Sequence, residues 1–262
     1  MNSQSTMIAI KGAAKSYDGG RTFAVRGMSL QIEAGEFVAI VGASGSGKTS
    51  LLKLINRLIE PSKGVVEIEG EDVSALDPVL LRRRIGYVFQ GVGLFPHLSV
   101  AQNIAITPKL LRWDSVRCAS RVGELLDLVR LPRNIADRLP ATLSGGQAQR
   151  IGVARALAAE PKIVLMDEPF GAVDQITRGA LSGDYRELHE RLGLTTIMVT
   201  HDVIEAVLLA DRIAIVVGGE IVETGTPHAL LSNSKHDYVR ELMSLPRRQA
   251  ERIGALSSKG AH

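Results

Sequence analysis

The sequence predicts an α/β fold: a mostly parallel sheet flanked by helices, with a small antiparallel β layer beside it and a helical lobe inserted into it. Three observations lead there. Runs rich in Val and Ile, each of strand length, alternate with helical patterns along the chain. The first few runs are separated by turn residues rather than helices, which suggests the antiparallel layer. Residues 95–160 have helical periodicity and no convincing strand, so they interrupt two halves of one core.

Taken in order, the strands are MIAIKG, MSLQIE, EFVAIVG, GVVEIEG and IGYVFQ, followed after the lobe by KIVLMD and TTIMVT. A closing pair lies in RIAIVVGGEIVETG, where Gly218 and Gly219 read as a hairpin turn. VRCASRVGELLDLV carries the clearest helical period of the lobe. The expected organisation is one domain over 1–245, with its core at about 1–94 and 160–245 and its lobe at about 95–159. The tail 246–262, LPRRQAERIGALSSKGAH, reads as a helix end followed by partial disorder, with Arg247 and Arg248 solvated.

Bulk composition narrows the classes. At 262 residues, 45% hydrophobic and 23% charged, the chain suits one large globular domain. A net charge of +3 is too weak to imply a nucleic-acid partner without a clustered basic face. The single cysteine, Cys118, excludes an internal disulfide framework and a Cys-rich zinc site, and fits a reducing compartment. MNSQSTMIAIKG has no secretory pattern, and every apolar run is far shorter than the roughly 20 residues of a membrane span, so a cytoplasmic protein without a transmembrane segment is expected.

The chemistry starts in EFVAIVGASGSGKTSLLKLI, a strand, a glycine-rich turn and a helix. Gly42, Gly45 and Gly47 allow the backbone to wrap a triphosphate, Lys48 reaches the β- and γ-phosphates, and the Thr49 hydroxyl ligates Mg²⁺. KIVLMDEP carries a buried strand outward to Asp167, which can hold the Mg²⁺ shell, and to Glu168, which can polarise an attacking water. TTIMVTH ends in His201, whose neutral imidazole can contact a γ-phosphate. GYVFQ ends in Gln90, whose amide oxygen can join the metal shell. A second anion cradle lies in LSGGQAQR, where Ser144, Gly145 and Gly146 open a helix; a plain N-cap also fits Ser144.

These elements together resemble the ATP-binding cassette superfamily, nucleotide-hydrolysing subunits of membrane transporters, over about residues 7–245. The resemblance implies a RecA-like P-loop NTPase core binding ATP with Mg²⁺. By it, residues 42–49 are the Walker A loop, with Ala43, Ser44, Ser46 and Ser50 also against the nucleotide. Gln90 is the Q-loop, 143–147 the signature with Gln147 at its end, Asp167 and Glu168 the Walker B pair, 171–174 the D-loop and His201 the switch histidine. Tyr17, in AKSYDGG, takes the position of the aromatic that stacks on adenine, and Asp174 that of a residue reaching the partner subunit. In this family ATP lies between the P-loop of one copy and the signature of the other, which accounts for two cradles in one chain. The implied partners are a second copy, two integral membrane permease subunits and, indirectly, an extracytoplasmic solute-binding protein, with the chain peripheral on the cytoplasmic face.

INRLIEP, GLFPHLSVAQNIAITPKLLRW and MDEPFGAVDQITR are similar to cassettes of quaternary-amine and osmoprotectant importers, for solutes such as glycine betaine, choline or carnitine. Amino acids or another small solute are the alternative. Val173, Gln175 and Ala148 depart from the usual Leu, Pro and polar residue. Many such cassettes continue into paired cystathionine-β-synthase-type regulatory domains; this chain ends before them, which argues against ionic-strength sensing by that route. A soluble ATPase of DNA repair or chromosome organisation would insert a long coiled coil between the Walker A loop and the signature, and a translation-regulating cassette protein would carry two cassettes; neither feature is present. Trp113 in the lobe is expected to pack against the core.

Overall fold

The structure is a computed structural model that describes residues 5–171 and 173–259. β1 (Thr6–Lys15) and β2 (Val25–Glu33) pair antiparallel, and β3 (Phe37–Val41) then enters a second sheet. β4 (Lys63–Ile68) and the two-residue β5 (Glu71–Asp72) complete the first sheet in the order β2-β1-β4-β5. β6 (Ile85–Val88), β7 (Ile163–Asp167), β8 (Thr195–Thr200) and β9 (Arg212–Val217) run parallel with β3, and β10 (Glu220–Gly225) returns antiparallel. The order of this sheet is β10-β9-β3-β8-β7-β6. Gly218 and Gly219, with φ of 56° and 89°, supply the two left-handed residues that a two-residue hairpin turn requires.

FVAIV is buried at all five positions because helices and the antiparallel layer cover both faces of β3. Side chains alternate between the two faces. Phe37, Ala39 and Val41, with Met166, Met198 and Ile215, pack toward the lobe and the later helices. Val38 and Ile40, with Leu165, Ile197 and Val216, pack on α1 (Lys48–Ile55) and on Ile8, Ile10 and Met28 of the antiparallel layer. Burying each such large apolar side chain contributes about 1.5–3 kcal/mol, and β7 and β8 are buried throughout in the same way.

The first core half ends with α2 (Pro78–Arg83), capped by Asp77. Among the described residues of 95–159 there is no strand, as expected. That stretch holds α3 (Val100–Ile104), α4 (Ile106–Leu110), α5 (Ser115–Leu128), two 3₁₀ turns and α6 (Gly145–Leu157). Trp113 packs against the core edge with the Arg117 guanidinium 3.4 Å from its ring centroid, and Cys118 is buried below it. α7 (Gln175–Leu192), α8 (Val203–Leu209) and α9 (Pro227–Asn233) follow their strands.

α10 (Asp237–Lys259) differs from the expected helix end near Pro246, because the helix continues through the proline. Val239 and Met243, one turn apart and buried, moor its first half to the core, so the turn that lacks the proline N–H is carried by its neighbours. Arg247 and Glu251 pair across the next turn at 2.8 Å. Residues 1–4 and 260–262 lie outside the described residues.

The consequence for function is geometric. β3, β6, β7 and β8 all deliver their C-terminal ends to one edge, with Val41 level with Thr200 and Asp167 level with Val199. Ligands of open α/β sheets bind at that edge.

Candidate functional site

β3 releases the chain at Gly42, and the turn closes at Gly47, the N-cap of α1. The loop is held so tightly that side chains do not fit: a Cβ at Gly42 would lie 2.3 Å from the Val216 oxygen, and one at Gly47 would lie 2.0 Å from the Ala24 oxygen. Gly47 has φ of 98°, and no side chain caps α1. Its first-turn N–H groups are therefore left for an anion. Ser46 Oγ is buried without a hydrogen-bond partner, and Lys48 Nζ donates to the carbonyls of Gly42 (2.7 Å) and Ala43 (2.8 Å). Burial lowers the Lys48 pKa, while the charges of Glu168 and Asp167 oppose the shift. An orphaned buried hydroxyl and an ammonium at the mouth of the loop are a donor set that fits phosphate.

Asp167 ends β7 and accepts a hydrogen bond from Thr49 Oγ1 at 2.9 Å. Burial raises its pKa, the Thr49 hydrogen bond opposes the shift, and Glu168 adds to it. Two oxygen donors this close, one an under-compensated carboxylate, suit a hard divalent cation. Glu168 stands in the left-handed region at φ 46°, its N–H donating to the Val199 carbonyl. That turns its carboxylate toward two other strand ends. Gln90 Nε2 donates to Oε2 at 3.1 Å, and His201 Nδ1 lies 3.3 Å from Oε1. Gln90 thus meets Glu168 through its amide nitrogen and, among the described residues, makes no hydrogen bond to the Thr49–Asp167 pair.

Ser144 and Gln147 form a reciprocal capping box at the start of α6, so the N-cap reading of Ser144 holds. Each side chain accepts from the other's backbone N–H, and no hydrogen bond from the turn reaches Lys48, Asp167 or Glu168 among the described residues. The turn leans instead on α7: a Cβ at Gly146 would lie 2.7 Å from Thr177 Cγ2. Asp174 caps α7 by accepting from the Thr177 N–H, and hydrogen bonds from Thr177 hold its pKa below the usual carboxylate range. Ala172, inside the expected D-loop, lies outside the described residues.

Tyr17 is 63% exposed at the edge of α1, with its hydroxyl 3.1 Å from Ser50 Oγ and Lys15 Nζ 5.4 Å from its ring centroid. Sequence reasoning missed what fixes it. Asp18 accepts from the Thr22 N–H and hydroxyl and from the Arg21 N–H, and Ser16 donates to it. The hydrogen bonds from Thr22 hold the Asp18 carboxyl far below the ordinary range. The clue was the polar turn YDGGRT. Arg155 was also missed: it is buried within α6, and burial lowers its pKa.

A glycine-rich turn between β3 and α1, acids at the end of β7 and a histidine after β8 define a P-loop α/β protein built to hold a phosphorylated ligand. Residues 25–171 match the family model described as ABC transporter. The chain belongs to this family. It is 50% identical over 241 residues, 92% of its length, to the choline transport ATP-binding protein OpuBA of Bacillus subtilis (strain 168), and equally so to the glycine betaine/carnitine/choline transport ATP-binding protein OpuCA of the same organism. It spans 63% of the length of each. To the glycine betaine uptake system ATP-binding protein YehX of Escherichia coli (strain K12) it is 47% identical, covering 85% of this chain and 72% of that one. Among solved structures, the dimeric post-hydrolysis state of the cassette MJ0796 bound to ADP and Pi superposes with a TM-score of 0.76 at 35% identity, covering 84% of this chain and 99% of that one.

Proposed function

We propose that the chain is the ATP-hydrolysing subunit of an importer for an osmoprotectant or quaternary amine, working as a pair in which each copy completes the other's site. The observation that carries this reading is the convergence of Gln90 and His201 on Glu168, beside the Thr49–Asp167 pair and Lys48. The first-turn N–H groups of α1, the residue 42–47 backbone and Lys48 hold the triphosphate, and Lys48 exchanges its two carbonyl partners for phosphate oxygens. Ser44, Ser46 and Ser50 add hydroxyls, and Tyr17 offers its ring to the base. Thr49 and Asp167 hold Mg²⁺, which supplies charge neutralisation at the β- and γ-phosphates when bound. Glu168, oriented by Gln90 and His201, polarises the attacking water and accepts its proton as the water oxygen bonds the γ-phosphorus and ADP departs.

Two further observations support the paired arrangement. The Ser144–Gly145–Gly146 turn makes no hydrogen bond to its own P-loop among the described residues, and the similar cassette MJ0796 is dimeric with ADP and Pi. For the membrane subunits, support comes from a groove of about 570 Å³ between core and lobe, lined by Tyr87, Phe89, Gln90, Phe95 and Ile106, with both phenylalanines 45% exposed. Exposed aromatics beside the glutamine that orients Glu168 suit a docking segment. No helix among the described residues is long and apolar enough to cross a membrane, in keeping with a peripheral subunit on the cytoplasmic face. The solute class rests on the names of the relatives, and the solute-binding protein on the importer reading.

The test is ATP turnover by the chain assembled with its membrane subunits. Glu168→Gln should retain ATP binding and lower turnover by ~10²–10⁴; normal turnover would refute the assignment. Uptake by the assembled complex, with betaine, choline, carnitine and amino acids in competition, tests the solute class. A response to amino acids alone would overturn that class and leave the ATPase reading standing.

A further inference from the structure

Behind Gln90 the backbone runs through three left-handed residues, Gly91 (φ 72°), Val92 (φ 68°) and Gly93 (φ 55°). A β-branched residue in that region is strained, and such strain persists only where neighbours hold it. The holder is α6. Arg155, 8% exposed, donates through Nη1 to the Gly93 carbonyl at 2.7 Å and through Nη2 to the Val92 carbonyl at 2.9 Å. Its guanidinium lies 5.8 Å from the Phe89 ring centroid. No carboxylate pairs with it among the described residues. One turn earlier on α6, Gly152 leaves just enough room for Val92, since a Cβ there would sit 3.3 Å from Val92 Cγ1.

A buried cation with only carbonyl acceptors is an expensive way to gain stability. Its planar fork, bonded to two successive carbonyls, does fix position. We propose that Arg155 is a positioning residue that fastens the Gln90 loop to α6. Gln90, bonded to Glu168, and the Ser144 turn, roughly 16 Å from Arg155 at the other end of α6, then move as one body. The inference rests on the ATPase reading above. It explains how a helix that never touches Glu168 governs the amide that does.

The experiment measures kcat, KM for ATP and melting temperature on the full chain assembled with its membrane subunits, for Arg155→Lys, Gly152→Ala, Gln90→Ala and each pair with Gln90→Ala. Arg155→Lys keeps the charge and loses the fork. It should lower kcat about tenfold with KM within about twofold, because the loop around Lys48 is untouched. In the Gln90→Ala background it should change kcat by less than about twofold, since both act through one amide. Gly152→Ala crowds Val92 from the other side while improving helix propensity, so kcat should fall without any fall in melting temperature. Additive effects of Arg155→Lys and Gln90→Ala overturn the proposal, as does a Gly152→Ala variant with wild-type kcat. If Arg155→Lys does not fold, the Gly152→Ala pair decides alone. Glu168→Gln runs as the control: unchanged turnover there sinks the ATPase reading itself, whereas an inactive Glu168→Gln with an additive cycle sinks only the role of Arg155.

Discussion

Replacing Gly47 by Ala tests whether the P-loop geometry, and not merely its composition, makes the site. The added Cβ would start 2.0 Å from the Ala24 oxygen, and real Cβ atoms essentially never come nearer than 3.0 Å, so the loop or the strand entry has to retreat by at least 1.0 Å. Ala24 is not free to move. Its N–H bonds the Lys15 carbonyl at 2.8 Å, and next to it the Arg26 N–H bonds the Gly219 carbonyl at 2.7 Å. The loop therefore gives way, carrying Lys48 and the first turn of α1 with it. A misplacement on this scale typically costs ~10² in rate, and the left-handed backbone adds about 1–2 kcal/mol against Ala. Gly193→Ala is the matched control: its φ is 60°, yet nothing lies within 4 Å of the new Cβ. Both variants should lose a few degrees of melting temperature, about 2–4 °C per kcal/mol in a chain of this size. Only Gly47→Ala should lose nucleotide affinity and turnover as well. Fluorescent-nucleotide titration and steady-state ATPase read the difference, and wild-type affinity in Gly47→Ala would refute the reasoning.

Two further outcomes follow from charges. Asp167 is buried beyond what its one hydrogen bond from Thr49 compensates; Asp167→Asn should therefore raise the melting temperature of the ligand-free chain by about 2–4 °C while abolishing the extra stabilisation that Mg²⁺ adds to bound ATP, read by thermal melts with and without the cation. His189, 2% exposed and hydrogen-bonded to Thr196, has its pKa lowered below 6.5 by burial, with Arg186 adding to the shift. Below pH 6.5 the unfolded chain binds a proton that the folded chain refuses, so stability should fall as pH drops through that value, and His189→Asn should flatten this part of the profile in chemical-denaturation series.

Much of the fold was readable because the sheet is covered on both faces. Strands such as FVAIV and IVLMD appear as unbroken apolar runs, and the functional residues follow them directly. β5 was not readable. Its two residues, Glu71 and Asp72, carry no apolar pattern and exist as a strand only through pairing with Ile68 and Glu67. α10 overran its expected end because proline signals a stop locally, while the anchorage at Val239 and Met243 is tertiary. Within the site, the motifs at the strand ends were legible and the side-chain orientations were not. Gln90 meets Glu168 through its nitrogen, three left-handed residues redirect the chain behind it, and nothing about Val92 in sequence announces φ of 68°. Arg155 in a helical pattern reads as a solvent-facing residue; only the packed structure buries it against the loop.

The central claim is that each nucleotide site is assembled from two copies. Mixing two inactive variants tests it: Lys48→Ala, which spoils the P-loop, and Ser144→Arg, which spoils the capping turn of α6. In a mixed pair, one site combines the intact P-loop of the second variant with the intact turn of the first. ATPase activity should reappear on mixing, approaching roughly a quarter of the wild-type rate when pairs exchange freely and sites turn over independently. No recovery at any mixing ratio, with pair exchange verified, would contradict the account.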